Sequence, residues 1–238
     1  HLIKNIPTTN NIPDWIKKDL KGFLGEKRLA SIADQICKEP YIDINIKSKE
    51  FESYEWEKIL KGENVFKNIV RIKSQSNIVD LPFYKEGSWW VQGLSSSLPV
   101  YIISRIFKEN KKKGTVLDVG AAPGGKSFQL IDLGFKVKSI EISKKRILTF
   151  NANLNRLKIN SKIINEDFLN AELKEKFDCI LIDAPCSGSG LMQKKPEMLV
   201  VKKDISSLLL KQKKMLLRAS SLVKDGGYII YCVCSLLK

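Results

Sequence analysis

Apolar and polar positions alternate along this chain in two regimes. Beyond about residue 114, short apolar runs are separated by longer amphipathic stretches and glycine-rich turns. Residues 115–119, 136–140, 161–164, 177–182 and 228–233 read as strands, and the last two are almost wholly apolar, as strands covered on both faces are. Helical spacing predicts helices over 126–133, 144–157 and 204–223, the last stopped by the turn Asp225-Gly-Gly. Strands alternating with helices through short turns predict a parallel sheet with helices on both faces.

The first hundred residues follow another pattern. Short helices are expected over 14–22 and 26–37, and residues 41–46 alternate Tyr, Ile, Asp, Ile, Asn, Ile, as a half-buried strand does. Residues 50–60 read as a helix with a turn at Gly62, followed by weaker strands near 69–72 and 78–79. Trp89-Trp90-Val-Gln then leads into a helix over 94–110, and Lys111-Lys-Lys113 is expected on a solvated turn. The expected organisation is a small α+β domain over residues 1–85 and an α/β domain over residues 86–238.

With 238 residues, 43% hydrophobic and 28% charged, the chain can bury a core of one large domain with a smaller partner. No apolar run is long enough to span a bilayer and no secretory signal is visible, so no membrane partner is expected; a monomer with reduced thiols in a cytoplasm is the expectation. The chain starts at His1 rather than Met, consistent with a fragment or a processed protein. Its net charge of +15 is unevenly placed: residues 1–110 carry 17 basic and 14 acidic residues, whereas residues 111–238 carry 24 and 12. A basic half of this kind attracts polyanions, nucleic acid above all, although lysines also simply solvate helix faces. The cysteines are Cys37, Cys179, Cys186, Cys232 and Cys234. An odd number without a signal peptide argues against a disulfide framework, and with His1 the only histidine no zinc site is expected.

The chemistry is concentrated at the expected strand ends. Between the first strand and its helix lies Gly120-Ala-Ala-Pro-Gly-Gly-Lys126, a turn whose glycines let backbone come close to a ligand. A lone glycine pair could equally be a tight corner, but Glu141 ends the next strand, where an acidic residue hydrogen-bonds a ribose diol in folds that bind nucleosides. Neither GxGxxG nor the P-loop pattern is present, which favours a nucleoside cofactor without a pyrophosphate, S-adenosylmethionine. Asp167 follows the third strand, where a carboxylate facing adenine is expected, although an Asp there is commonly a turn or cap residue.

The fourth strand ends in Asp183-Ala-Pro-Cys-Ser-Gly and the fifth in Tyr231-Cys-Val-Cys-Ser235. Ligands of open α/β sheets bind outside the carboxyl ends of the strands, so Cys186 and Cys234 can both serve one crevice. Together with the glycine turn, these strings resemble the Sun (Fmu) family of RNA cytosine-5 methyltransferases over at least residues 87–237. The resemblance implies a Rossmann-like S-adenosylmethionine-dependent domain preceded by a small RNA-binding α+β domain. It implies that Gly120, Ala121, Ala122, Pro123, Gly124, Gly125 and Lys126 wrap the methionine part of the cofactor, Glu141 the ribose and Asp167 the adenine. Asp183 and Pro185 would line the junction with cytosine, and Asp183 would hold its amino edge and N3. Cys234 would attack the base and Cys186 would assist product release. Cytosine C5 is a weak nucleophile, and a thiolate adding to C6 pushes electron density onto it, which is why thiols are wanted. Ribosomal RNA is the substrate implied, with transfer RNA an alternative.

The chain departs from the family pattern at Gly120, where Cys is usual, at Val233, where Thr is usual, and at Gly93, where Asp is common. It stops four residues after Cys234, where the family continues with an acidic stretch and further strands. Cys179 and Cys37 read as small core residues, and Cys232 as a packing residue deeper on the strand than Cys234. Two rivals remain at this level. A DNA cytosine-5 methyltransferase would attack through Cys186 and have no use for Cys234. A non-catalytic RNA-binding protein would bind cofactor without transferring a methyl group.

Overall fold

The computed structural model describes residues 12–73, 77–109, 113–199 and 204–237. His1, Lys111 and Lys112, which figured in the reading above, lie outside the described residues. By compactness the chain divides into two units, one within His1–Pro40, Pro185–Lys211 and Val233–Lys238, the other within Tyr41–Ala184 and Gln212–Cys232. The small sheet and the large one both belong to the second unit.

The large sheet is built from β5 (Thr115–Val119), β6 (Lys136–Ile140), β7 (Ile163–Ile164), β8 (Phe177–Asp183) and β9 (Val223–Cys232). Its order is β7-β6-β5-β8-β9 and every pairing is parallel. Alternate residues serve opposite faces. Val116, Cys179 and Leu181 pack with Val100, Ile103 and Phe107 of α4 (Leu94–Glu109) and Leu130 of α5 (Gly125–Asp132). Leu117, Ile180 and Ile182 pack on the other face with Met215 and Ala219 of α7 (Ile205–Leu222). Both faces of β8 are thus covered, which explains its unbroken apolar run; β9, last in the sheet order, departs from that expectation, with Tyr228 and Tyr231 exposed. Strand β9 starts five residues before the expected position. Its register against β8 shifts between Phe177 and Cys179, and Gly226 absorbs the irregularity at φ 71°.

The small sheet is antiparallel, in the order β2 (Glu63–Phe66), β3 (Ile69–Ile72), β1 (Ile42–Ile46), β4 (Trp89–Val91). Ile44, Ile46, Val70 and Trp89 close over Trp56 and Leu60. Three expectations need correction here. The polar positions of β1 are buried rather than solvated: the Asp43 carboxylate accepts from Arg71 Nε at 2.6 Å and from the backbone N–H of Leu94 at 2.8 Å, while Asn45 donates to Gln92 O at 2.8 Å. Residues 50–60 form two short helices, α2 (Ser48–Phe51) and α3 (Trp56–Ile59), because the polar run between Phe51 and Trp56 breaks the apolar stripe. Residues 78–80 form a 3₁₀ turn rather than a strand.

In the other unit, α1 (Asp14–Ile36) is interrupted at Gly25, whose φ is 74°, which reproduces the expected pair of helices. Ile16, Leu20, Leu29 and Ala33 of this helix are buried with Met192 and, more loosely, Leu237.

Within the larger unit, α6 (Lys144–Arg156) is tied to the small sheet by its last residue. The Arg156 guanidinium donates to Tyr84 O at 2.9 Å and Trp89 O at 3.0 Å and lies 4.2 Å from the Tyr84 ring centroid. Gly87 has φ +75°, and a Cβ there would sit 2.0 Å from Arg156 O. Backbone on both sides leaves no room to yield, so Gly87→Ala is expected to cost more than about 2 kcal/mol in urea unfolding. An unchanged midpoint would show that α6 is not held at this point.

Candidate active site

The turn between β5 and α5 is fixed from three sides. Gly120 and Ala121 donate to Ile140 O at 2.9 and 3.2 Å, at the end of the neighbouring strand β6. Gly120 has φ +78°, and a Cβ there would lie 2.7 Å from Asp183 O at the end of β8. Gly124 has φ +120°, and a Cβ there would lie 1.9 Å from the Phe128 ring. Glycine at 120 and 124 is therefore demanded by close approach as well as by conformation. Arg146, from the first turn of α6, closes the third side by donating to Ala122 O.

The turn borders a cavity of about 200 Å³ whose walls include Gly120, Ala121, Ala122, Pro123, Gly125 and Lys126. Gln92, Asp118 and Asp183 also line it, while Gly124, Glu141 and Asp167 are not on its wall. Lys126 Nζ lies 2.8 Å from Asp183 Oδ2. Burial works against the Lys126 charge, but Asp183, through its charge and its hydrogen bond, outweighs burial and raises the pKa above the ordinary lysine value. Asp118 is fully buried; burial pushes its carboxyl up to about 6, against the pull of the Ser127 hydrogen bond and of Lys126.

Two buried carboxylate oxygens at successive strand ends keep acceptor capacity. Asp118 Oδ2 accepts from Ser127 Oγ at 2.6 Å, but Oδ1 has no hydrogen-bond partner among the described residues. Glu141 Oε1 accepts from Ser143 N at 3.0 Å, while Oε2 lies 2.9 Å from Arg146 Nη1, an ion pair without hydrogen-bond alignment. Such groups suit a ligand rich in hydroxyl and ammonium donors. Asp167 is half-buried and its Oδ1 accepts from Leu169 N at 3.0 Å, closing a turn after β7. Asp118 and Arg146 escaped the sequence reading. An Asp inside an apolar strand and an Arg three residues past Ser143, the α6 cap, were the signals available.

The paired thiols lie in the smaller unit. Cys186 Sγ and Cys234 Sγ are 3.1 Å apart, well beyond a disulfide bond of about 2.05 Å. Hydroxyls and backbone lock their two segments together. Ser187 Oγ is 2.8 Å from Ser235 Oγ and 2.9 Å from Ser189 Oγ, Gly190 N donates to Cys234 O at 2.9 Å, and Leu236 N donates to Ser189 Oγ at 2.8 Å. Cys186 is buried and Cys234 half-buried. The remaining strand cysteines differ. Burial pushes the Cys179 thiol up to about 12 and the Cys232 thiol up to about 11, so both stay protonated at neutral pH. Cys37 is exposed at the end of α1 rather than packed in its core.

Asp118 binds its proton more tightly in the folded chain than in the unfolded one. Its contribution to stability is fully present below about pH 4 and lost as the pH rises to about 6. Relative to Asp118→Asn, the wild-type chain is therefore expected to lose about 3 kcal/mol across that range. Urea unfolding of both proteins from pH 4 to pH 7 measures it, and a difference independent of pH would return Asp118 to an ordinary carboxylate.

Residues 106–238 match the family model described as 16S rRNA methyltransferase RsmB/F. A ribosomal RNA small subunit methyltransferase F of Pectobacterium carotovorum subsp. carotovorum (strain PC1) is 36% identical over 160 residues, 64% of this chain and 32% of that protein. A ribosomal RNA small subunit methyltransferase B of Proteus mirabilis (strain HI4320) is 32% identical over 177 residues, 71% of this chain and 41% of that protein. The chain thus spans less than half the length of these two relatives. The solved structure of PH0851 superposes with a TM-score of 0.85 at 27% identity, covering 95% of this chain and 54% of that one. A methyltransferase homolog protein from Pyrococcus horikoshii, at 23% identity, shares the fold with a TM-score of 0.74 over 93% of this chain and 73% of its own. Rossmann-like in fold, and matched over more than half of its length, this chain belongs to the RsmB/F family of 16S rRNA methyltransferases.

Proposed function

We propose that this chain methylates cytosine C5 in RNA, ribosomal RNA in the first instance, with Cys234 as the attacking thiolate and S-adenosylmethionine as the methyl donor. The observation that carries this reading is the pair Cys186 and Cys234, whose sulfurs are 3.1 Å apart. A DNA-type scheme through the Pro-Cys thiol gives Cys234 nothing to do.

Bound S-adenosylmethionine supplies an electrophilic methyl group. The residues that would hold it are the glycine turn, Glu141 and Asp167, and the spare acceptor oxygens of Asp118 and Glu141 match an ammonium and a ribose diol in kind. Asp183 would hold the amino edge and N3 of the cytosine. The Cys234 thiolate adds to C6 and raises electron density at C5, the position to be methylated. Loss of the C5 proton and expulsion of the Cys234 sulfur restore the aromatic base, a stage that Cys186 assists. RNA engagement is assigned to the domain over residues 1–85 and to the basic surface of residues 111–238, where Lys194 and Lys195 are exposed on a turn.

Three measurements test the reading. Glu141→Ala should weaken cofactor binding about tenfold or more, the worth of a lost buried hydrogen bond, as measured by calorimetry. RNA affinity should fall steeply and linearly in a plot of log affinity against log salt; a flat line would leave the lysines as mere surface solvation. Finally, Cys234→Ala should abolish methyl transfer and any covalent RNA adduct, whereas Cys186→Ala should methylate and then remain crosslinked to its product. The reverse pattern on a denaturing gel would make Cys186 the nucleophile.

A further inference from the structure

We infer that Cys186 and Cys234 form a site of reversible oxidation, at which a peroxide converts the two thiols into a disulfide. The inference rests on the reading of Cys234 as the attacking thiol only for its consequence, loss of methyl transfer; the bond itself follows from geometry.

Two segments 48 residues apart in sequence bring their sulfurs to 3.1 Å, so that an approach of about 1 Å completes a disulfide. The approach needs little rearrangement, because the two segments are fastened to each other beside the pair. The Ser187–Ser235 hydroxyl contact follows each cysteine by one residue, and the hydrogen bond from Gly190 N reaches Cys234 O itself. Exposure sets the order of events. Cys234 is half-buried and Cys186 only 9% exposed, so a small oxidant meets Cys234 first and Cys186 is the resolving thiol. Cys179 and Cys232 are held as thiols by burial and take no part.

With hydrogen peroxide the steps balance. The Cys234 thiolate attacks one peroxide oxygen; the S–O bond forms, the O–O bond breaks, and the departing hydroxide takes up a proton to become water. The Cys186 sulfur then attacks the sulfenic sulfur; the S–S bond forms, the S–O bond breaks, and the departing hydroxide leaves as water with the Cys186 proton. Two thiols give up two electrons and one peroxide becomes two waters. Because the resolving thiol is already in contact, the sulfenic acid is captured before it advances to the irreversible sulfinic stage. A dithiol reverses the bond and returns the nucleophile.

The test uses the whole chain with Cys37→Ser, which leaves four cysteines. After hydrogen peroxide, thiols titrated under denaturing conditions should fall from four to two per chain. Non-reduced peptide mapping should join the peptides of Cys186 and Cys234, and dithiothreitol should restore all four thiols. Bond formation should be at least about tenfold faster in the folded chain than in urea, because the fold supplies the local concentration. With Cys186→Ser added, peroxide should drive Cys234 to a product that dithiothreitol does not reduce. Equal rates in folded and unfolded chain, or a disulfide engaging Cys179 or Cys232, would overturn the inference. Thiol counting needs neither RNA nor cofactor. A disulfide in a chain whose reduced form transfers no methyl group would therefore sink the proposed function and leave this site standing. Methyl transfer without a disulfide would do the opposite.

Discussion

A side chain at residue 120 would put its Cβ 2.7 Å from the carbonyl oxygen of Asp183, and the cofactor end of the molecule is arranged around that close approach. The parallel register of β5 and β8, with Val119 opposite Ile182, carries Gly120 and Asp183 off the sheet side by side. The same register lets Lys126, one residue into α5, reach the Asp183 carboxylate. The turn is then closed from the other side by Ile140 O and by Arg146 on Ala122 O. A one-residue slip between β5 and β8 would move every inward residue to the opposite face and part these groups together.

Electrostatics explain why the arrangement is poised rather than merely compact. A buried carboxylate oxygen without a hydrogen bond costs on the order of 1–3 kcal/mol, and the chain keeps two of them, on Asp118 and Glu141. Lys126 and Arg146 lie among these acids and limit that cost by charge, without supplying the missing hydrogen bonds. The smaller unit follows the opposite policy. Around Cys186 and Cys234 the hydroxyls of Ser187, Ser189 and Ser235 satisfy one another and the backbone, which leaves the two sulfurs as the reactive groups in an otherwise closed network.

Strand and helix positions in the second half of the chain, and the glycine turn, could be read from the sequence alone. A strand covered on both faces has to be apolar throughout, and a turn that meets backbone has to carry glycine; both are local demands written in residue type. The family resemblance was legible for the same reason, since the Ala-Ala-Pro-Gly-Gly-Lys and Asp-Ala-Pro-Cys-Ser-Gly strings sit at those turns. Only the tertiary structure decided the rest. Asp43 and Asn45 looked like solvent-facing positions, yet they are buried, because Arg71, Leu94 and Gln92 supply partners from distant segments. Asp118 looked like one polar residue in an apolar strand, and its burial against Ser127 and Lys126 emerged only with the sheet in place. The 3.1 Å between two thiols 48 residues apart likewise depends on hydroxyl and backbone contacts between segments that no local pattern brings together.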